Sequence, residues 1–326
     1  MRVFIYTKYG SPAVLQMQEI DKPVPGDDQV LVKVNAVSIN AYDWHMLTAD
    51  IFLVRLMGEG LRKPKKQILG ADIAGTVEAV GKNVSQFQPG DAVYGDIAGS
   101  GSGGFAEYAT APEKSLALKP SNLSFEQAAA VPMAAITALQ GLRDVGKIQP
   151  GQKVLIQGAS GGVGTFAVQL AKTFGAEVTA VCSTGKMDML RSLGADRVID
   201  YTRADFTRGK EQYDLILAVN GYHSLSAYRR VLAPRGIYAM AGGAPGQLFQ
   251  AVLLGWLMSK KNGKTMAVVS ARQSQGDLVY MRELIEAGKV TPVIDRRYPF
   301  LETAEAMRYL GAGHARGKIV IVIEGE

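Results

Sequence analysis

The chain has 326 residues, enough for two domains with cores of their own, and its 47% hydrophobic and 20% charged residues are the balance of a soluble globular protein. Its net charge of +6 sits in small clusters (Lys63/Lys65/Lys66, Lys260/Lys261/Lys264, Arg296/Arg297). A dense basic stripe with interleaved aromatics is absent, so no nucleic-acid partner is expected. The single cysteine, Cys182, excludes an internal disulfide and fits a reducing, cytoplasmic compartment.

The opening MRVFIYTKYG reads as a strand and not as a leader. QVLVKVNAV (29–37) alternates apolar and polar residues, the pattern of a half-buried strand. SINAYDWH (38–45) follows and holds one of three histidines. AGTVEAVG (74–81), PGDAVYG (89–95) and FAEYAT (105–110) are further short strands bounded by glycine and proline turns. Such a series predicts a compact, barrel-like β domain. Near 124 the texture changes. Ser124 with Gln127 forms a capping box that opens the helical run SFEQAAAVPMAAITALQGL. Strands and helices then alternate: KVLIQ (153–157), a glycine loop, TFAVQLAKTF, EVTAVC (177–182), KMDMLRSL, RVIDY, DLILAV (214–219) and GIYAMAGG (236–243). This alternation predicts an α/β fold with a doubly wound parallel sheet. The apolar LFQAVLLGWLM (248–258) is too short to span a bilayer. It is expected to be a buried helix; a pocket wall, a subunit contact or a peripheral membrane contact are the alternatives. After about 266 one more strand, the helix QGDLVYMRELIEAGK and the strand KIVIVI are expected to return to the β-rich domain. The expected division is therefore 1–124 with 267–326, and 125–266.

QGASGGVG (157–164) joins the first strand of the alternating region to its helix. Ala159, Gly161 and Gly164 have the spacing of a G-x-G-x-x-G fingerprint with alanine first. Such a loop turns tightly, lets the backbone approach a pyrophosphate, and aims a helix N-terminus at the negative charge. Ala159, Ser160, Gly161, Gly162, Val163 and Gly164 are the residues assigned to it. An acidic residue at the end of the second strand would bind the ribose 2′-hydroxyl of NAD. Here that place reads CSTGK. Ser183, Thr184 and Lys186 offer hydroxyls and a cation instead, which suit a 2′-phosphate, so NADPH is the expected cofactor. Tyr201 is a candidate to cover that phosphate or the adenine, with a plain surface tyrosine as the alternative.

VLVKVNAVSINAYDW, LGADIAGTVEAVG, FQPGDAVYG, FAEYA, VPMAAITALQGL, VLIQGASGGVG and the closing GKIVIVI together resemble the medium-chain dehydrogenase/reductase superfamily, and most of all its zinc-free quinone oxidoreductase branch. The resemblance covers essentially the whole chain. It implies a GroES-like β-barrel domain built from both chain ends, an inserted Rossmann domain, an active site in the cleft between them, and a homodimer. Zinc-dependent members have cysteine where Asn40 stands, and Gly-His-Glu where this chain has Gly70-Ala71-Asp72. A catalytic zinc takes about three protein ligands, and only Asp72 of those positions supplies one. No metal is therefore expected, and His45 is read as packing or hydrogen bonding.

Without a metal, hydrogen-bond donors must stabilise the charge that develops on a substrate oxygen. Asn40, matching the branch's asparagine, is the first candidate, with a turn-forming role as its alternative. Tyr42 is the second, against a packing role. Asp43 is expected to fix the loop through backbone hydrogen bonds. Thr137 matches a threonine that lies near the nicotinamide in related enzymes. Val219 and Asn220, with Gly242 and Gly243, close two strands of the sheet and should border the ribose and nicotinamide, although AVNG departs from the branch's Asp-x-x-Gly. The segment MGEGLRKPKKQI (57–68) and the apolar runs suggest an apolar pocket mouth. The reading is an NADPH-dependent reductase of a small electrophile, either a quinone or an α,β-unsaturated carbonyl. The alternatives are a non-catalytic NADPH-binding protein of the same fold and a redox-responsive partner protein.

Overall fold

The computed structural model describes residues 1–50, 60–100, 103–243 and 263–323. The chain divides into two compact units. The first comprises Met1–Met133, Gln273–Gly288 and Pro292–Glu326; the second comprises Ala134–Arg272 and Lys289–Thr291. The helix capped by Ser124, Phe125–Ala129, thus lies in the first unit. Its hydroxyl accepts from the Gln127 N–H while the Gln127 side chain accepts from the Ser124 N–H. The apolar runs at 51–57 and 248–258 lie outside the described residues.

In the first unit, β1 (Arg2–Ile5) and β2 (Gln16–Glu19) pair as an antiparallel ribbon. β3 (Gln29–Ile39), β4 (Asp72–Val80), β5 (Ala92–Asp96), β6 (Tyr108–Pro112) and β7 (Leu116–Leu118) join two strands from the other end of the chain, β14 (Ile294–Pro299) and β15 (Lys318–Val322). The sheet order is β14-β15-β3-β4-β5-β7, with β6 also on β3. The long β3 brings strands from both ends of the chain into one sheet. Its first half pairs with β6 and its second half with β15, while β4 runs along the other edge with two bulges. Bulges sharpen local twist, so the strand curves around the core. Val30, Val32, Val37, Ile73, Val93 and Ile319 fill that core.

In the second unit, β8 (Lys153–Gln157), β9 (Glu177–Cys182), β10 (Arg197–Asp200), β11 (Tyr213–Ala218), β12 (Leu232–Met240) and β13 (Thr265–Val268) form an all-parallel sheet in the order β10-β9-β8-β11-β12-β13. β8, β9 and β11 are almost wholly buried, as strands covered on both faces must be. The strand expected after 266 to rejoin the β-rich domain is instead β13, the outer strand of this sheet. Its four residues carry no signal of which sheet they extend, and pairing of Ile237–Met240 with Thr265–Val268 decides it. The strand order reverses between β8 and β11, and ligands of open α/β sheets bind outside the carboxyl ends at such a switch point.

Candidate active site

The glycine loop sits at that switch point. β8 ends at Gln157, and Gly158 turns with φ +74°, in the left-handed region that favours glycine. The Ala159 N–H donates to the Val181 carbonyl at 3.2 Å, tying the loop to β9. Gly161 then caps the helix Gly162–Thr173. A Cβ on Gly164 would lie 2.2 Å from the Gly158 oxygen and 2.6 Å from Ala159 backbone, so the helix packs on the loop where only glycine fits. A Cβ on Gly161 would meet only the Gly158 oxygen, at 3.6 Å, so that face of the loop is open. Tight behind and open in front, the loop fits a dinucleotide pyrophosphate. Ser160 is buried within it, while Gly162 and Val163 are half-buried.

Val219, Asn220, Gly242, Gly243, Ser183 and Tyr201, also assigned to the cofactor, lie at the same end of the sheet. The Val219 N–H donates to the Gln157 carbonyl at 3.0 Å, and Asn220 backbone lies 3.1 Å from where a Gly158 Cβ would be. A Cβ on Gly242 would lie 2.4 Å from the Val219 oxygen, and Gly243 bridges to Gly221. Ser183 precedes the short turn Thr184–Lys186 at the end of β9, and Tyr201 follows β10. Tyr201 is about half exposed and meets Tyr222 edge-on, with ring centroids 6.0 Å apart. Thr137 is half-buried on the helix Pro132–Gln140.

Here the structure adds a residue that the sequence reading missed. Parallel register sets Asp200 beside Cys182, so a carboxylate does stand at the end of the second strand, contributed by the third. The Thr184 hydroxyl donates to Asp200 Oδ2, and Asp200 Oδ1 accepts from the Thr202 N–H at 2.9 Å and the Thr202 hydroxyl at 2.8 Å. These bonds, the Thr184 hydroxyl first, hold the Asp200 carboxyl below its ordinary range. The Thr184 proton is committed to Asp200. The signal was the RVID that closes β10, readable only once β10 is known to lie next to β9.

In the first unit, four strand ends bring polar groups into a buried corner. Ser38 on β3 is paired with Asp72 on β4, Asp72 with Asp96 on β5, and Ile39 with Ile319 on β15. Asn40 and Lys318 flank that last pair. Asn40 ends β3 and caps α1 (Ala41–Thr48). Its Nδ2 donates to Asp72 Oδ2 at 2.9 Å and to the Ser38 carbonyl at 3.3 Å. Its Oδ1 accepts from the Lys318 ammonium, which also reaches the Ile39 carbonyl at 3.2 Å and Asp72 Oδ2 at 3.4 Å. Asp72 Oδ1 accepts from the Met133 N–H at 3.0 Å. Lys318 is 3% exposed and Asp72 fully buried, so water screens neither. Burial pushes the Asp72 carboxyl up to about 7 against the opposing pull of Lys318, and lowers the Lys318 ammonium.

The neighbouring residues of SINAYDWH hold this corner in shape. Asp43 accepts from the N–H groups of Asn40 and Gly70, each at 2.9 Å, the backbone-fixing role expected of it. Burial raises its carboxyl to about 6. Trp44 lies on Gly311, where a Cβ would come within 2.2 Å of the indole. His45 Nδ1 pairs with Asp50 at 2.8 Å, and Tyr42 is half-buried on α1. Asp72, which stands at a ligand position of the zinc-dependent members, here faces an ammonium, a backbone N–H and an amide.

Residues 26–121 match the family described as an alcohol dehydrogenase GroES-like domain, and residues 193–321 the family described as a zinc-binding dehydrogenase. The 2-methylene-furan-3-one reductase of Solanum lycopersicum is 36% identical over 98% of this chain and 79% of its own. The NADPH-dependent alkenal/one oxidoreductase of Arabidopsis thaliana, a chloroplastic protein, is 34% identical over 98% of this chain and 79% of its own. The quinone oxidoreductase of Coxiella burnetii superimposes with a TM-score of 0.88 at 28% identity, over 99% of both chains. Among the described residues no helix is long and apolar enough to cross a membrane.

Proposed function

The chain belongs to the medium-chain dehydrogenase/reductase superfamily, in its quinone oxidoreductase branch, and from that premise we propose that it is a zinc-independent, NADPH-dependent reductase of quinones or α,β-unsaturated carbonyls. The observation that carries the reading is the glycine loop at the switch point, closed behind by Gly164 and open in front at Gly161. When bound, the nicotinamide supplies the hydride. Gly161, Gly162 and Val163 offer backbone and a helix N-terminus to the pyrophosphate. Ser183 and Lys186 take the 2′-phosphate, and Tyr201 flanks the adenine end. Thr137, Val219, Asn220, Gly242 and Gly243 border the ribose and nicotinamide.

Asn40 acts on the substrate. Of its two Nδ2 bonds, the one to the Ser38 carbonyl is long at 3.3 Å, close to the limit at which such a bond retains strength. A substrate oxygen that takes its place receives a charge-stabilising donor already held in position, and Tyr42 stands two residues on as a second donor. Zinc independence is supported by the donor set at this corner. A homodimer is the assembly the family resemblance implies, and the buried Cys182 supports a reducing, cytoplasmic setting.

The test is NADPH oxidation by purified, chelator-treated protein, offered a quinone and an enone in parallel, with NADH as control. NADPH-preferring turnover that survives the chelator supports the reading, and the faster acceptor fixes the substrate class. Tight NADPH binding without turnover of either acceptor refutes it and points to a non-catalytic binding protein. Turnover lost to the chelator refutes zinc independence.

A further inference from the structure

The family reading leaves a buried lysine without a task. Lys318 begins β15, is 3% exposed, and is surrounded by three buried carboxyl groups: Asp72 from β4, Asp96 from β5 and Asp43 from α1. A buried ammonium costs stability unless it is paired and hydrogen-bonded. Its contacts show what this one holds. An ammonium only donates, so the Asn40 atom it meets must be Oδ1. The groups on the other side of the amide, the Ser38 carbonyl and, above about pH 7, the ionised Asp72 carboxylate, only accept, so the atom that faces them must be Nδ2. The orientation of the Asn40 amide is thereby fixed by charge from both sides.

We infer that Lys318 is a positioning residue for the reaction: it locks the Asn40 amide with Nδ2 as the presented donor, and its charge at Oδ1 strengthens that donor. The second effect follows from the polarisation of linked hydrogen bonds in a low-dielectric site. Asp72 is the counter-ion that keeps the ammonium in place and accepts the first Nδ2 proton. The substrate oxygen takes the second. The inference rests on the reductase reading above for its effect on turnover, but not for its effect on Asn40.

The test compares D72N with K318M/D72N. The double variant removes both charges together, so no unpaired ion is left between these two positions. N40A and the triple variant N40A/K318M/D72N complete the set, with thermal midpoint and NADPH affinity confirming fold and cofactor site. Relative to D72N, the double variant should lose about 10²-fold in kcat, the usual cost of one oxyanion donor, with NADPH affinity unchanged. Adding N40A should cost nothing further, because Lys318 acts through Asn40. A role in folding alone would lower the thermal midpoint and leave kcat of the folded fraction intact. If N40A loses activity but K318M/D72N matches D72N, the inference is overturned and the role of Asn40 stands. If N40A itself keeps its activity, both fall. Should the parent turn over neither acceptor, the Asn40 side-chain amide decides the matter by NMR. Its Nδ2 protons should exchange with water about tenfold faster in K318M/D72N than in D72N, as the loss of one charge-assisted bond allows. Equal exchange overturns the inference.

Discussion

Alanine at Gly161 and alanine at Gly164 should separate a loop shaped for a ligand from a loop that is only tight. At Gly164 the new Cβ would lie 2.2 Å from the Gly158 oxygen and 2.6 Å from two backbone atoms of Ala159. Backbone must move, at a cost of about 1–3 kcal/mol typical of overpacking. The gain of about 1 kcal/mol in helix propensity from glycine to alanine does not offset it. Gly164→Ala should therefore lower the thermal midpoint and weaken NADPH together. Gly161 is different. Its φ is −85°, which alanine adopts freely, and the new Cβ would meet the protein only at 3.6 Å. The stability cost is limited to exchanging glycine for alanine at an N-cap, about 1 kcal/mol at most. The methyl nevertheless stands on the open face, where the pyrophosphate must come within hydrogen-bond reach. Gly161→Ala should thus leave the midpoint nearly unchanged and weaken NADPH by about tenfold or more, the equivalent of about 1.4 kcal/mol. Differential scanning fluorimetry without ligand reads the first quantity and quenching of NADPH fluorescence reads the second. If Gly161→Ala binds NADPH like the parent, the open face is not the cofactor face.

Three further outcomes follow from the geometry. Asp200→Asn removes a carboxylate from beside Ser183 and Lys186 and releases the Thr184 hydroxyl; the ratio of kcat/KM for NADPH over NADH should rise by about tenfold, an effect of about 1.4 kcal/mol, and a fall in that ratio would show that Asp200 does not face the 2′-position. Gly311→Ala drives a Cβ into the Trp44 ring; it should destabilise the protein by about 1–3 kcal/mol and shift Trp44 emission, whereas an unchanged midpoint would refute that packing. The Asp72 carboxyl is raised by burial to about 7, above the value near 3.9 of an unfolded chain, so between about pH 4 and 7 the folded state binds more protons than the unfolded one. Stability is then lost as pH rises through that window, and Asp72→Asn removes this part of the loss. Thermal midpoints from pH 4 to 7 should fall less steeply in the variant, and parallel slopes would show that Asp72 is ionised throughout.

What the sequence disclosed and what it concealed divide along contact distance. The glycine loop, the capping box at Ser124 and Gln127, and the alternation of strand and helix are patterns read from residues near one another in the chain, and each is found where its pattern places it. β13 and Asp200 were misjudged for one shared reason. Which sheet a short strand joins, and which neighbour a strand end faces, are properties of pairing, and pairing leaves no mark in a four-residue segment such as TMAV or RVID.

The corner at Asn40 shows the same limit at longer range, and there it bears on chemistry. Read along the chain, SINAYDWH puts Asn40 first and Tyr42 second as donors, with Asp43 fixing the loop and His45 in packing or hydrogen bonding. The fold shows what three of them bond to. His45 pairs with Asp50 outside the buried corner, Asp43 accepts from two backbone N–H groups, and Asn40 bonds to both buried charges. The group that sets the orientation of its amide is Lys318, 278 residues away, in a GKIVIVI that by itself reads only as a final strand. A lysine at the start of a strand is ordinarily a solvated residue, and nothing in its neighbours announces burial. It becomes a buried cation because β15 pairs with β3 with Ile319 opposite Ile39, which puts residue 318 against the exit of β3 where Asn40 stands. The pairing of β15, from the far end of the chain, with β3 therefore also completes the candidate site. A slip of one residue in that pairing would turn Lys318 to the other face of the sheet and leave Asn40 and Asp72 without their cation.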